Sequence, residues 1–274
     1  MAPCDVWSPY RTPSGVCNNL ANPRWGKAPT QMRRFLPPVY QDGIGLPRTK
    51  SVSGADLPSA RFISLIVHGA SDPSDIPKYE DITHMFMQWG HITDHDITHA
   101  PVLTRPVRKP LLLNCCLEGA SVAASAASVG VRSFVPIMAN PCFPIPVPPN
   151  DPVFIGRTCL NFTRSIQGPN LQCTNAPVEQ INAITAFVDS SNVYGSSKEE
   201  SDNLRLRVDG LLNFTDFNLL PTDEKEDVCD APCFDAGDTR RNEQMGLTSM
   251  HTLLMREHNR IARTHTQVQP ILER

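Results

Sequence analysis

Two aspartates flank a histidine within residues 89 to 99, which read Trp-Gly-His-Ile-Thr-Asp-His-Asp-Ile-Thr-His. His95 is a candidate general acid and base, because an imidazole that titrates near neutrality can take a proton from one atom and return it to another. Asp94 and Asp96 each need a cation, a metal ion or a covalent bond if they leave water. The alternative is a core histidine hydrogen-bonded to a carbonyl, and the two aspartates together with Arg240 favour chemistry.

Arg240 lies in the segment Asp238-Thr-Arg-Arg-Asn-Glu, three residues before Glu243. A guanidinium stays cationic at any working pH and can stabilise negative charge that develops on an oxygen. We therefore interpret Arg240 as an electrostatic catalyst. The alternative is an ordinary surface salt bridge between Arg240 and Glu243.

Thr185, Phe187, Asp189 and Ser191 occupy alternate positions of one segment, and three of them have a side-chain oxygen. In a curved loop this spacing directs a hydroxyl, a carboxylate and backbone carbonyls towards one point, which suits the oxygen ligands of Ca²⁺. Asp96 could supply a second carboxylate and connect the ion to the residue beside His95. Without Asp96, a helix C-terminal turn would be the better interpretation.

A second type of metal site is also open, because His91, His95 and His99 form an i, i+4, i+8 ladder, with His84 earlier in the segment. Such a ladder could bind zinc or non-haem iron, with Asp94 as a carboxylate ligand.

Helical periodicity predicts the elements that carry these residues. Asp81 could cap a helix that places His91, Asp94 and His95 on one face. Its apolar residues recur at three- and four-residue spacings on another face: Ile82, Met85, Phe86, Trp89, Thr93 and Ile97. A cavity beside this helix would be lined by the chemical face.

Two further helices are expected. One starts near Pro177, a favoured first-turn residue, and runs through Ile181 and Ile184 before a turn at 189–195. The last spans about 246 to 264, with apolar residues on one side: Leu247, Met250, Leu254 and Ile261. We find no strong alternating strand pattern, so the predicted fold class is mainly α.

The rest of the chain is predicted to be irregular. Residues 1–80 read as an extended wrapping segment, because the first sixty are rich in Pro, Arg and Gly. Residues 117–141, rich in Ala and Ser, are an atypical insertion without an assigned role. Five prolines exclude a helix at 142–152. We interpret residues 1–274 as one incomplete domain with long loops.

Composition excludes several classes of function. Hydrophobic residues make up 40% and charged residues 19%, which are globular values and argue against disorder. The net charge of −3 comes from 25 basic and 28 acidic residues spread along the chain, so nucleic-acid binding is not expected. No apolar run approaches the roughly 18 residues of a membrane-spanning helix.

Nine cysteines in loops indicate disulfides and an oxidising compartment. The expected groupings, with one thiol left over, are Cys4 with Cys17, Cys115 and Cys116 with Cys142, Cys159 with Cys173, and Cys229 with Cys233. The sequons at Asn161 and Asn213 agree with secretion. The amino terminus lacks a signal peptide, so we expect a fragment of a longer secreted protein.

Taken in order, several motifs make the chain resemble the animal haem peroxidase family. The matching pieces are Tyr10-Arg-Thr with Cys17-Asn-Asn, Phe35-Leu-Pro to Leu46-Pro, Met87-Gln-Trp-Gly through Asp94-His-Asp-Ile, Cys142-Phe-Pro-Ile, Asn150-Asp-Pro, Phe187-Val-Asp-Ser-Ser-Asn-Val-Tyr-Gly-Ser, Ala236-Gly-Asp-Thr-Arg-Arg-Asn-Glu-Gln, Leu247-Thr-Ser-Met-His-Thr-Leu-Leu and Arg256-Glu-His-Asn-Arg-Ile-Ala. They cover almost the whole chain. The resemblance implies a helical peroxidase domain.

The resemblance also implies roles for individual residues. His95 corresponds to the distal histidine that moves a proton between the oxygens of hydrogen peroxide, and Arg240 to the distal arginine that assists cleavage of their bond. Asp94 and Glu243 correspond to carboxylates that form ester bonds with haem b. The implied Ca²⁺ ligands are Asp96, Thr185, Phe187, Asp189 and Ser191.

Three positions depart from the family pattern. His91 stands where the family usually has a glutamine that orients water or halide at the haem. Gln244 stands where some members have a methionine bonded to haem. The chain ends at Arg274, upstream of the implied proximal histidine, so the carboxy-terminal part of the domain is expected to be missing.

The resulting hypothesis is the distal part of a secreted haem peroxidase that reduces hydrogen peroxide and oxidises small phenolic, tyrosyl or halide donors. The alternatives are a non-catalytic, secreted, calcium-binding adhesion or matrix protein, and the histidine-ladder metalloprotein. The sequence does not indicate an oligomeric state.

Overall fold

The structure, a computed structural model, describes residues 4–68, 79–102, 104–105, 111–112, 114–116, 141–168, 176–223 and 233–268. The insertion predicted at 117–141 falls outside the described residues except for its last position. Helices dominate the regular structure, which confirms the mainly α prediction. None of the described helices combines the length and the apolar character needed to span a membrane.

The described helices are α1 (Ala60–His68), α2 (His84–Ile97), α3 (Ser191–Tyr194), α4 (Lys198–Asn203) and α5 (Met245–Val268), with a 3-10 helix at Thr239–Asn242 before α5. The strands have two residues each: β1 (Thr30–Gln31), β2 (Thr104–Arg105), β3 (Leu111–Leu112), β4 (Ile145–Pro146), β5 (Cys159–Leu160) and β6 (Ile181–Asn182). The pairs β2–β3 and β4–β5 are antiparallel, with Thr104 opposite Leu112 and Ile145 opposite Leu160.

The chain divides into two compact units. The first contains Met1–Thr30, Ile82–His99 and Asn182–Arg274, and the second contains Gln31–Asp81 and Ala100–Ile181. Every residue predicted to do chemistry belongs to the first unit.

Two apolar clusters form the core of the first unit. Ile92 of α2 packs against Leu247 and Met250 of α5, so these two helices are held together next to the predicted chemical residues. The second cluster contains Val193, Leu204, Leu212, Leu220 and Met255. The prediction of a helix over 246–264 is confirmed, and α5 extends it at both ends.

Helix α2 starts later and buries a different face than its apolar periodicity suggests. Thr83, rather than Asp81, is its N-cap residue. Met85, Phe86 and Trp89 of the apolar stripe are more than half exposed. The buried positions are Gln88, Ile92, His95 and Asp96. The helix therefore turns three polar residues inward beside Ile92.

The predicted helix from Pro177 is wrong. Residues 176–190 contain no helix, and α3 starts only at Ser191, after Ser190 in a left-handed conformation with φ of 59°. Backbone amides in this stretch bond to distant segments: Ala183 donates to the carbonyl of His99 at 2.8 Å and Ala186 to that of Gly26 at 2.9 Å. These long-range bonds replace the local ones that a helix needs.

The second unit is built around buried charge and disulfides. Arg61 of α1 forms a two-point ion pair with Asp151, whose carboxylate also accepts hydrogen bonds from the amides of Val153 and Phe154. The guanidinium lies 4.7 Å from the centre of the Phe154 ring, where a cation–π contact adds to the pair.

The disulfides confirm only part of the predicted pairing. Cys4 bonds to Cys17 and Cys115 to Cys142, as expected. Cys116 bonds to Cys159, so the expected groupings of Cys116 with Cys142 and of Cys159 with Cys173 are wrong. Cys159 is the first residue of β5, and its pairing with Cys116 joins positions 43 residues apart in sequence. Cys233 is also disulfide-bonded, and Cys229 lies outside the described residues.

Candidate functional site

His95 and Asp96 are consecutive residues in the last turn of α2, and both are buried, at 3% and 5% exposure. Their side chains nevertheless face different groups. His95 points towards His91 and Glu243, whereas Asp96 accepts hydrogen bonds from the loop that enters α3. Helix α2 therefore contributes to two neighbouring sites, which we call the base site and the carboxylate site.

The base site brings Arg240 to His95. The Nη2 of Arg240 donates to the backbone carbonyl oxygen of His95 at 3.3 Å. The guanidinium thus lies beside the last turn of α2, although the two residues are 145 positions apart in sequence. Burial, followed by the charge of Arg240, lowers the pKa of His95 to about 4. The imidazole is neutral at pH 7 and can accept a proton.

Asp238 fixes the position of Arg240 and was not singled out from the sequence. Its Oδ1 accepts the Nε of Arg240 at 3.0 Å and its Oδ2 accepts the Nη2 at 2.7 Å. The same carboxylate caps the 3-10 helix by accepting the backbone amide of Arg240 at 2.7 Å. The carboxylate is fully buried, and hydrogen bonds from Arg240 outweigh this burial and lower the pKa of Asp238. An aspartate two residues before the arginine is the signal that could have identified it.

These bonds also exclude the salt bridge between Arg240 and Glu243 as the arrangement of this segment. Arg240 pairs with Asp238, while Glu243 ends the 3-10 helix and lies near the histidines. The distances from its Oε2 are 3.8 Å to His91 Nε2 and 3.9 Å to His95 Nε2. The carboxylate of Glu243 is half exposed, and Asp94 is exposed on α2.

His91 lies against His95, with ring centres 4.4 Å apart in an edge-on arrangement. Behind it, the amides of Gln88 and Gln244 bond to each other, with Gln244 Nε2 donating to Gln88 Oε1 at 2.7 Å. This amide pair joins α2 to the residue before α5. Gly246 leaves room for this pair, because a Cβ at this position would displace the end of the Gln88 side chain.

The histidine ladder does not form as predicted. Helix α2 ends at Ile97, so His99 leaves the helical face two residues beyond it. Among the described residues, the potential metal-binding group is His91, His95 and Glu243, without His99 or Asp94. The side chain of His84 instead bonds to the amide of Gln88 at 2.8 Å.

The carboxylate site brings together most of the residues predicted to bind Ca²⁺. Asp96 Oδ2 accepts the amide of Ser190 at 3.0 Å, and its Oδ1 accepts the hydroxyl of Ser191 at 3.3 Å. Asp189 Oδ1 accepts the hydroxyl of Thr185 at 2.9 Å and the amide of Ser191 at 3.1 Å. Burial and the neighbouring charge of Asp189 raise the pKa of Asp96.

Two parts of the amino-terminal segment complete this region. Arg11, which sequence reasoning did not link to the loop, donates to Asp189 Oδ2 at 2.9 Å. Phe187 packs its ring against Gly26, whose φ of +74° and close approach to the ring both require glycine. The loop is thus held from outside, and its Asp189 carboxylate and its hydroxyl groups lie beside Asp96 of α2.

His251 is a further buried histidine close to the base site. It lies in α5 at 1% exposure, and burial lowers its pKa to about 4. Asp238, Arg240 and Arg241 are the charges that act on it. The sequence placed it in a helix but gave no indication of this environment.

Comparison with known proteins provides the context for this arrangement. The sequence profile described as "Animal haem peroxidase" matches residues 10–273. A peroxidasin homolog of Mus musculus is 37% identical over 289 residues, covering 95% of this chain and 18% of that protein. Human myeloperoxidase is 37% identical over 282 residues, covering 94% of this chain and 35% of the relative. The chain therefore spans well under half the length of these relatives.

Among solved structures, peroxidase A from Dictyostelium discoideum superposes with a TM-score of 0.67 and 24% identity. The match covers 96% of this chain and 48% of that structure. At this identity the similarity concerns the fold.

Proposed function

Because the chain belongs to the animal haem peroxidase family, we propose that its base site is the distal side of a peroxidase centre that reduces hydrogen peroxide. Family membership supports a peroxidase-type function and implies haem. The single observation that carries the residue assignment is the position of Arg240, which Asp238 holds against the carbonyl of His95. Small phenolic, tyrosyl or halide donors are the proposed reductants.

The residues of the base site fit haem. His95 combines deep burial with a neutral ring, which a distal base requires, and the half-exposed Glu243 and exposed Asp94 have carboxylates accessible for ester bonds. Asp94 and Glu243 would hold haem, which when bound would supply the redox-active iron for peroxide reduction. His91, where most of the family has glutamine, would border the space used by water or halide.

In the proposed mechanism, His95 takes a proton from one oxygen of hydrogen peroxide and returns it to the other oxygen, which leaves when the oxygen–oxygen bond breaks. Its lowered pKa keeps the lone pair available before the reaction. Arg240 stabilises the negative charge that develops as the oxygen–oxygen bond breaks. Its Nε and Nη2 are occupied by Asp238 and the His95 carbonyl, so its Nη1 is the group available to a ligand among the described contacts. Asp238 acts as a positioning residue.

The test is haem titration of the protein, followed through the Soret band, and then peroxide-dependent oxidation of a phenol. We expect His95→Gln to lower the rate by about 10²–10⁴-fold and Arg240→Gln by about 10²–10³-fold, with the haem spectrum retained. His68→Gln, an exposed histidine of α1, is the matched control and should leave the rate unchanged. Full activity in His95→Gln would contradict the assignment.

We also propose that the carboxylate site binds Ca²⁺ through Asp96, Thr185, Phe187, Asp189 and Ser191. Two carboxylates, two hydroxyl groups and a backbone carbonyl form an oxygen-only set that suits this hard cation. The raised pKa of Asp96 supports the proposal, because it reflects a buried carboxylate beside a like charge that a cation would relieve. The bond from Arg11 balances only part of this charge.

The disulfides support an extracellular or otherwise oxidising location, since such bonds are rare in the reducing cytosol. A non-catalytic, calcium-binding adhesion or matrix protein is the second candidate, and the proximity of Asp96, Asp189 and Ser191 supports it. Calcium-dependent melting without haem uptake would favour that role over peroxidase activity.

A further inference from the structure

Three potential metal ligands converge on the exposed side of the base site. His91, His95 and Glu243 each offer one ligand atom, and these atoms all lie within 4.8 Å of one another. The two shorter separations, from Glu243 Oε2 to each histidine Nε2, are 3.8 and 3.9 Å. Two imidazoles and a carboxylate form a ligand set typical of zinc sites that keep one coordination position open.

The backbone holds the two histidines in a favourable arrangement. They are four residues apart on α2, so the helix places them one turn above each other on the same face. Glu243 reaches them from the end of the 3-10 helix, and its half-exposed side chain can move without disturbing buried groups.

Closing the site requires the three ligand atoms to approach one another, most of all the two histidine nitrogens, which lie within 4.8 Å of each other. Tetrahedral zinc with bonds of about 2.0–2.1 Å requires ligand atoms about 3.3 Å apart. The two separations to Glu243 therefore need to shorten by roughly half an ångström. Rotation of the exposed Glu243 and the partly exposed His91 provides this adjustment, while His95 stays fixed by burial.

We propose that His91, His95 and Glu243 form a site for a divalent transition metal, with Zn²⁺ as the ion that best fits two nitrogen ligands and one oxygen ligand. His91 is essential to this proposal, because a glutamine amide at the same position is a much poorer zinc ligand than an imidazole. The carboxylate site differs in chemistry, since it contains only oxygen ligands and favours Ca²⁺.

Zinc binding would have a consequence for the chemistry that rests on the proposed function. A metal on the Nε2 of His95 occupies the nitrogen that would otherwise accept a proton from peroxide. Zinc and haem would therefore compete for this site, because a Glu243 carboxylate that forms an ester bond with haem no longer offers an anionic oxygen to the metal. Binding itself does not require haem, so it can be tested independently of peroxidase activity.

The experiment is calorimetric titration of the haem-free chain with ZnCl₂ at pH 7.5, with excess Ca²⁺ present to saturate oxygen-only sites. We expect one zinc per chain, and a loss of at least about tenfold in affinity for His91→Gln and for Glu243→Gln. His68→Gln removes a histidine outside the cluster and should bind as the unchanged protein does. Circular dichroism of each variant verifies that it is folded.

Two results would overturn the proposal. The first is no zinc binding by the unchanged chain. The second is equal affinity in folded His91→Gln, which would place the ion on other residues. Failure of either variant to bind haem or turn over peroxide would bear only on the proposed function, because the titration contains neither.

Discussion

The base site and the carboxylate site begin at consecutive residues of α2 but balance charge in different ways. At the base site, the cation of Arg240 is neutralised within the chain by the buried carboxylate of Asp238. At the carboxylate site, Asp96 and Asp189 lie close together, and Arg11 bonds to only one of them. The Arg240 cation of the base site is therefore balanced within the chain, whereas the two carboxylates of the carboxylate site share one bond from Arg11.

Burial favours the neutral form of the ionisable group at both sites, although it shifts the two pKa values in opposite directions. It lowers the pKa of His95 and raises that of Asp96, because it favours the neutral form of each group. For His95 the neutral form is the functional one, since it accepts a proton. For Asp96 the charged form binds a cation, so the ion must offset the cost of burial. Sensitivity to added Ca²⁺ should thus distinguish the two sites, because only the carboxylate site offers oxygen ligands alone.

We expect the largest effect when the buried carboxylate that neutralises Arg240 is removed from the base site. Asp238→Asn leaves the guanidinium of Arg240 without its buried partner and weakens the cap of the 3-10 helix. We expect the free energy of unfolding to fall by about 3 kcal/mol, because removing one member of a buried pair leaves an uncompensated charge. Urea denaturation measures the change.

Asp202→Asn is the matched control for this prediction. Asp202 also pairs with a cation, Lys198, at 2.6 Å, but the lysine side chain is 81% exposed. Exposed pairs contribute little, so this variant should unfold almost as the unchanged protein does. Similar losses in both variants would show that the burial of Asp238 has no special importance.

The second largest effect is the stabilisation that we expect when Ca²⁺ binds at the carboxylate site. Saturating Ca²⁺, at about 100 times its Kd, should stabilise the unchanged chain by about 2.7 kcal/mol. Asp96→Asn should lose this gain because it removes one of the two carboxylates. In chelator, the same variant should be at least as stable as the unchanged chain, since the amide removes a buried like charge beside Asp189.

Thermal melting with and without Ca²⁺ tests both halves of this prediction, and Asp202→Asn again serves as the control. A variant that loses stability in chelator, or keeps its full response to Ca²⁺, would show that Asp96 is balanced within the chain. The contrast between the two sites would then no longer hold.

Local chemistry made some of this arrangement predictable from the sequence. The alternation from Thr185 to Ser191 depends on residue types within one segment, and the structure brings Thr185, Asp189 and Ser191 together. Asp96 lies about 90 residues before the other proposed ligands, so local spacing alone could not connect it to them, whereas the family resemblance implied that connection. Helix α5 was predictable because its apolar spacing agrees with its packing.

Other features depend on contacts that no local pattern encodes. Pro177 favoured a helix start, yet Ala183 and Ala186 bond to distant carbonyls and the segment stays extended. The apolar stripe of α2 is exposed while His95 and Asp96 are buried, and the helix packs on α5 through Ile92 instead. The role of Asp238 became visible only once its carboxylate was seen to cap a helix and hold Arg240 together.

The smallest predicted effect is on the pH dependence of the free energy of unfolding, to which a buried histidine near the base site contributes and a surface histidine does not. Burial lowers the pKa of His251 from its ordinary value of 6.5 to about 4. Above pH 6.5 the ring is neutral in both the folded and the unfolded chain, so it adds no pH dependence. Between pH 6.5 and 4 the unfolded chain binds the extra proton, so this histidine lowers stability as the pH falls.

Replacing His251 with methionine should remove this contribution. Relative to the unchanged chain, the difference in unfolding free energy between pH 7.5 and pH 5 should shrink by on the order of 2 kcal/mol. The pH difference is the quantity to compare, because the substitution also alters packing equally at both pH values. His68→Met, at an exposed position of α1, should leave the pH difference unchanged. Urea denaturation at the two pH values measures this difference. An equal pH dependence in both variants would contradict the prediction, because it would mean that His251 binds a proton as readily in the folded chain as in the unfolded one.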